Sequence, residues 1–188
     1  AEPKGRRILL SLFQSVTPRT AGFNTADLTA LSETGQTLTI GLMLIGGSPG
    51  STAGGMKTTT AAVLVACAVA VFRRRENGRF FGRRTADDTV KNAITVFLMY
   101  ISLFLLGGMV ISRVENLPIL TCLFETASAI GTVGLTLGIT PDLHLVSKLI
   151  LISLMFLGRI GGLTLIFATL SANKNTLSKL PLEKITVG

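Results

Sequence analysis

The stretch Leu117-Pro-Ile-Leu-Thr-Cys-Leu-Phe-Glu-Thr-Ala-Ser-Ala-Ile-Gly-Thr-Val-Gly-Leu-Thr136 decides the fold. Its first part, Leu117 to Ile130, holds only about ten helical residues, and crossing a bilayer takes about 20. The part that follows, Thr132-Val-Gly-Leu-Thr136, reads as irregular or extended backbone around a glycine. Beyond it, an apolar run from about Leu143 to Leu170 is long enough to cross. A helix too short to span, an irregular segment and a spanning helix together describe a re-entrant hairpin. Backbone of that kind survives at membrane depth only when it is buried in protein or lines a water-filled cavity.

The same order occurs earlier in the chain. Ile8 to Val16 is a second short apolar segment, Thr20-Ala-Gly-Phe-Asn-Thr25 follows it, and a long apolar run extends from about Thr34 to Phe72. An offset of 112 residues aligns the two copies without a gap: Thr20 falls on Thr132, Gly22 on Gly134, Met43 on Met155 and Gly46 on Gly158. One further apolar run, about Thr89 to Ile111, separates them. Two spans between equivalent points give both copies the same orientation, so the repeat is parallel, not inverted.

Composition agrees with a membrane protein. Of 188 residues, 48% are hydrophobic and only 15% charged, with mean hydropathy +0.59; ordinary soluble domains carry about 25% charged residues. Cys67 and Cys122 are too few for a disulfide framework or a structural zinc site. A single histidine, His144, excludes chemistry on paired imidazoles, and its place near the end of the last helix suggests a solvated side chain. The net charge of +8 is concentrated in Arg73, Arg74, Arg75, Arg79, Arg83, Arg84 and Lys91 between two apolar runs, and in Lys174, Lys179 and Lys184 near the end. That is the loop pattern of the positive-inside rule, not a nucleic-acid patch, since only Phe72, Phe80 and Phe81 interleave it. The expected chain is an all-α polytopic protein of the plasma membrane with its C-terminus in the cytoplasm. Lys4, Arg6, Arg7 and Arg19 then fall on the outer side, flanking a hairpin that does not cross.

Helix starts are marked. Thr85-Ala-Asp-Asp88 fits a capping box, Thr140-Pro-Asp142 an N-cap with proline in the first turn, and Ser32-Glu33 a weaker start of the same type. The run from Thr34 to Phe72 is interrupted by Gly46-Gly-Ser-Pro-Gly-Ser-Thr-Ala-Gly-Gly-Met-Lys57. Each interior glycine costs a helix about 1 kcal/mol and proline about 3, so two half-helices joined by a loop are expected. The spacing of Gly50, Gly55 and Lys57 superficially resembles a phosphate-binding loop, but Met56 intervenes and no strand precedes it.

Two Thr-x-Gly segments can line a pore. Glycine lets successive carbonyls turn toward one axis, and rings of carbonyls replace the hydration shell of a potassium ion. The partial negative charge at the end of each short helix favours a cation there. The alternative is a pair of plain turns between membrane helices. Arg159 lies in the last span, where an arginine is costly and faces protein or water. It either holds the glycine loop through backbone carbonyls or raises a cation barrier beside the cavity. Lys57 is expected to reach toward the inner side. Glu125, inside a short helix, is read as a carboxylate with a nearby partner and not as an ion ligand.

Thr17-Pro-Arg-Thr-Ala-Gly-Phe-Asn-Thr25 and Gly46 through Thr60 resemble the Trk/Ktr/HKT superfamily of potassium transporters, and Thr132 to Thr136 with Gly158-Arg-Ile-Gly-Gly-Leu163 fit its last repeat. The ending, Leu182 to Gly188, looks most like the membrane subunit of bacterial Ktr systems. The resemblance implies four pore-loop repeats around one pore, of which two are present. Residues 1–84 would be the third repeat without its outer helix: pore helix about 6–17, filter 20–25, broken inner helix 32–73 and a cytoplasmic basic loop 73–86. Residues 85–173 would be the fourth: outer helix 87–112, pore helix 118–130, filter 131–136 and inner helix 141–172. Residues 174–188 would form a cytoplasmic tail.

The implied function is potassium uptake through a carbonyl-lined filter, without enzymatic chemistry. Filter residues would be Thr20, Ala21, Gly22, Phe23 and Asn24 with Thr132, Val133, Gly134, Leu135 and Thr136, whose backbone carbonyls hold the potassium ion. The gate would be Gly46, Gly47, Ser48, Pro49, Gly50, Ser51, Thr52, Ala53, Gly54, Gly55 and Lys57 with Arg159. No cofactor is expected in this chain. Potassium is the permeant ion, with sodium left open. Implied partners are the lipid bilayer, the N-terminal half of the same protein, a second copy in a homodimer, and a cytosolic nucleotide-binding regulatory ring, since this chain has no G-x-G-x-x-G. The competing readings are an ion-coupled secondary transporter and a non-conducting accessory subunit of a sodium-translocating ATPase.

Overall fold

The computed structural model describes residues 4–74, 79–80 and 83–161. Six α-helices carry the fold: α1 (Lys4–Val16), α2 (Glu33–Leu44), α3 (Thr58–Phe72), α4 (Asp87–Glu115), α5 (Ile119–Ile130) and α6 (Leu145–Ile160). The strand content is a two-residue antiparallel ladder in the basic loop, Arg79–Phe80 (β1) with Arg83–Arg84 (β2), and one isolated bridge between Ile45 and Met56.

The short helix α5 is the centre of the molecule. α2, α4 and α6 all pack on it, and Cys122 and every residue from Phe124 to Ile130 are buried. Such a helix has no polar face because it has no solvent face. Met43, Ile111, Phe124 and Ile130 fill the space between these helices. α6 comes so near α5 that a Cβ on Gly158 would lie 2.0 Å from the Ile130 carbonyl oxygen. The periphery is apolar instead: Ile8, Leu9 and Leu12 on α1, Val65 and Phe72 on α3, and Leu149, Ile152 and Phe156 on α6 are exposed. Among the described residues, α4 is the one helix long and apolar enough to cross a membrane by itself.

Several local expectations are corrected. The run from Thr34 to Phe72 is broken at the glycines into α2 and α3. Ser32 caps α2, its Oγ accepting from the Gly35 N–H at 3.2 Å. The Thr85 capping box does not form: α4 starts one residue later, with Ala86 at the N-cap and no side-chain cap bond. Asp87 and Asp88 still sit in its first turn, where the helix dipole favours acids. α4 then runs one turn past residue 112 and stops where Asn116 turns left-handed (φ 54°). Thr140-Pro-Asp142 forms a separate 3-10 turn instead of opening the last helix. α6 begins at Leu145 behind His144, and Gly161 leaves the helix at φ 87°. Residues 162–172 of the expected inner helix and the 174–188 tail lie outside the described residues.

The internal offset holds in three dimensions at one telling point. Glu33, the first residue of α2, corresponds to Leu145, the first residue of α6.

Candidate functional site

The two Thr-x-Gly segments have the same backbone signature. Thr20 and Thr132 have φ of 63° and 51°, and Gly22 and Gly134 have φ of 72° and 90°. The residue between each pair, Ala21 or Val133, is not among the positive-φ residues. The sign of φ therefore alternates along both segments. A strand with uniform negative φ points successive carbonyls to opposite sides; alternating sign turns them toward a common one. Left-handed torsions cost a residue with a Cβ about 1–2 kcal/mol, so two threonines held there mark an over-determined site.

The structure brings the segments together. A Cβ on Gly22 would lie 2.2 Å from the Val133 carbonyl oxygen, so the two backbones touch there and only glycine fits. Thr20 Oγ1 donates to the Gly131 carbonyl at 3.3 Å. Each segment is anchored differently. In the second, Val133 and Leu135 are buried and Gly134 is exposed between them, a period-two pattern that presents the backbone at Gly134 to open space. In the first, Ala21, Phe23 and Asn24 are exposed. There the anchor is Thr17, almost fully buried, whose Oγ1 donates to the Phe23 carbonyl at 2.5 Å.

Glu125 stands behind the second segment. It is 4% exposed, and its Oε1 accepts from Thr136 Oγ1 at 2.7 Å and the Leu137 N–H at 2.8 Å, while Oε2 accepts from Thr140 Oγ1 at 2.8 Å. The expected partner exists, and there are three.

The glycine stretch is a closed loop. Its ends are tied by Gly46 N–H to the Met56 carbonyl (2.7 Å), Met56 N–H to the Leu44 carbonyl (3.3 Å) and Thr58 N–H to the Gly47 carbonyl (3.2 Å). Met56, which looked like an interruption in sequence, is buried and forms this closure. The loop touches the second Thr-x-Gly segment: Gly54 N–H donates to Thr132 Oγ1 at 3.1 Å, and a Cβ on Gly54 would lie 2.3 Å from that oxygen. Arg159 Nη1 donates to the Thr52 carbonyl at 2.6 Å, so Arg159 does hold the loop. Lys57 is corrected: its Nζ turns back to the Ala53 carbonyl and, at 3.4 Å, the Ser51 carbonyl, because those acceptors are freed by the broken helix. Of the hydroxyls expected to satisfy loop backbone, Ser51 does so, donating to the Ser48 carbonyl at 2.6 Å. Between the loop and the end of α6 lies a cavity of about 260 Å³, lined by Thr52, Ala53, Lys57, Arg159 and Gly161 among others.

Two groups outside the expected set organise the surroundings. Glu115, at the end of α4, accepts from the His144 N–H (2.9 Å), from Ser147 Oγ (2.5 Å) and pairs with His144 Nδ1 at 2.7 Å. His144 is thus exposed but partnered, not simply solvated. The legible signal was an acid at a helix end facing the start of another helix. In the loop after the first segment, the Thr29 hydroxyl and N–H both donate to Asp27 and hold its carboxyl below the usual range, so it stays charged. Among the described residues no three His, Cys, Asp or Glu side chains gather as a metal site; any bare cation here meets backbone and hydroxyl oxygens.

Comparison with known proteins agrees with this arrangement. Residues 1–177 match the family described as "TrkH: Cation transport protein". The chain is 44% identical to the potassium/sodium uptake protein NtpJ of Enterococcus hirae, over 97% of this chain and 42% of that protein. It is 40% identical to Ktr system potassium uptake protein B of Bacillus subtilis, over 86% of this chain and 36% of that protein. The crystal structure of the potassium transporter TrkH from Vibrio parahaemolyticus shares the fold, with TM-score 0.68 at 24% identity, over 86% of this chain and 36% of that one. The chain thus spans less than half the length of the relatives it matches. With the match extending from residue 1 to residue 177, the chain belongs to the TrkH family of cation transport proteins.

Proposed function

We propose that this chain supplies part of a pore for potassium uptake, with Thr20–Asn24 and Thr132–Thr136 as two filter segments and Gly46–Lys57 as the gate. The observation that carries this reading is the alternating φ of the two segments, repeated at an offset of 112 residues and meeting where Gly22 faces the Val133 carbonyl. Two more segments, from the rest of the full-length protein, would close the ring. Together the four would exchange water for carbonyl oxygens around a potassium ion. The names of the relatives, for potassium or potassium/sodium uptake, support the choice of ion.

The pathway runs from the filter to the loop that abuts Thr132. Conduction requires the loop to leave, which breaks the Gly54–Thr132 and Arg159–Thr52 hydrogen bonds. Uptake is driven by the membrane potential, about 2.3 kcal/mol per charge for each 100 mV, and no bond is made or broken. The protein would sit in the bacterial plasma membrane with the Arg73–Arg84 loop and the C-terminus in the cytoplasm, assembled as a homodimer on a cytosolic nucleotide-binding ring.

The test is Gly134→Ser in the full-length protein, reconstituted in liposomes. A fall in the potassium-to-sodium permeability ratio supports the filter. An unchanged ratio in a folded, conducting variant removes Gly134 from it.

A further inference from the structure

Glu125 is a buried carboxylate that the pore reading leaves without a task. It sits on α5, the helix that every neighbour packs against, and all its observed hydrogen bonds go to one short piece of chain: the Thr136 hydroxyl, the Leu137 N–H and the Thr140 hydroxyl. Thr136 Oγ1 is itself tied to the Gly138 N–H at 2.9 Å and lies 3.1 Å from Thr140 Oγ1. The carboxylate therefore closes a compact network just past the second Thr-x-Gly segment. Burying a charge is unfavourable unless it is fully hydrogen-bonded, and networks of this kind fix one local geometry.

The equivalent position in the other copy is different. At the offset of 112 residues Glu125 falls on Phe13, Thr136 on Asn24 and Thr140 on Leu28. None of the three can rebuild the network. The first segment is held instead by the single Thr17–Phe23 hydrogen bond, and its Phe23 side chain is 70% exposed. One segment of the pair is thus clamped by a carboxylate and the other by one hydroxyl.

Resting on the reading of 132–136 as filter, we propose that Glu125 is a positioning residue for ion selection: it fixes the exit of the second segment through hydrogen bonds and so holds the Gly134 and Leu135 carbonyls at the spacing that favours potassium. The bonds are what matter, not the charge. Glutamine distinguishes the two, because its amide oxygen still accepts from Thr136 and Leu137 while its NH2 donates to the Thr140 hydroxyl oxygen.

The experiment measures potassium and sodium flux by the full-length protein in liposomes, for wild type, Gly134→Ser, Glu125→Leu, Glu125→Gln and Thr136→Val. Size-exclusion elution reports folding. Loss of several hydrogen bonds to a charged group predicts a drop of about tenfold in the potassium-to-sodium ratio for Glu125→Leu. Thr136→Val should move the ratio in the same direction, and Glu125→Gln should recover most of it. A merely structural role would lower the yield of folded protein and leave the ratio of the surviving protein unchanged. If Gly134→Ser loses selection while Glu125→Leu and Thr136→Val keep it, the clamp is wrong and the filter stands. A Glu125→Gln ratio as low as that of Glu125→Leu makes charge the cause and overturns the claim. If Gly134→Ser keeps the ratio, the filter reading falls and this inference falls with it. Should Glu125→Leu not fold, Glu125→Gln and Thr136→Val decide.

Discussion

Gly22 and Gly134 share a motif position and a left-handed φ, yet their surroundings set opposite expectations. A methyl on Gly22 meets the Val133 carbonyl oxygen at 2.2 Å, whereas Gly134 has nothing within 4 Å. Gly22→Ala must therefore push two segments apart, on top of the about 1–2 kcal/mol of torsional strain. Gly134→Ala carries the strain alone. Thermal unfolding of the full-length protein in detergent should show a clearly lower midpoint for Gly22→Ala than for Gly134→Ala; equal midpoints would remove the contact. The glycines themselves were legible in the sequence, as was the need for an acceptor near Arg159. Which glycine is crowded was not, because Gly22 and Val133 are brought together only by the packing of distant helices. Lys57 was misjudged for the same kind of reason. Its own loop, broken open by glycine and proline, offers carbonyls closer than water does.

At the level of elements, the loop between α2 and α3 behaves as one unit seated on the second Thr-x-Gly segment. Its two seats are Gly54 against Thr132 and Thr52 against Arg159. A Cβ at residue 54 would overlap the Thr132 side chain at 2.3–2.9 Å, so Gly54→Ala should unseat the loop and raise the flux of the resting protein. Arg159→Ala removes the other seat and should act in the same direction, with the double variant less than additive because both act on one loop. Resting flux measured by isotope uptake decides; a fall in flux with normal folding would mean the loop supports conduction instead of blocking it. A second element-level device is the Glu115 clamp between α4 and the start of α6. Glu115→Ala strands a buried Ser147 hydroxyl and frees the His144 N–H, so it should destabilise by about 1–3 kcal/mol, read as a lower unfolding midpoint with unchanged ion preference. Helix identity was legible from apolar length and glycine content, and the break between α2 and α3 followed from propensity alone. The ends were less legible. Pro141 belongs to a separate turn because Leu143 is drawn into the core at 4% exposure before α6 can begin.

The whole molecule is a helical assembly with an apolar periphery and a buried short helix, and it covers 42% of its Enterococcus hirae relative. Its parallel offset, visible in the sequence, reappears in the matched starts of α2 and α6 and the paired torsions of Thr20/Gly22 and Thr132/Gly134. What no sequence pattern could supply is the contact between the two copies, since residues more than 100 positions apart meet only in the folded chain. Pore function is a property of the completed ring, so the decisive measurement uses the full-length protein. Potassium and sodium fluxes into liposomes should be followed side by side without ATP, under an imposed inside-negative potential. The pore account predicts potassium flux that follows the potential and exceeds sodium flux, with neither requiring a gradient of the other. Potassium flux that appears only when a sodium or proton gradient is supplied would contradict it.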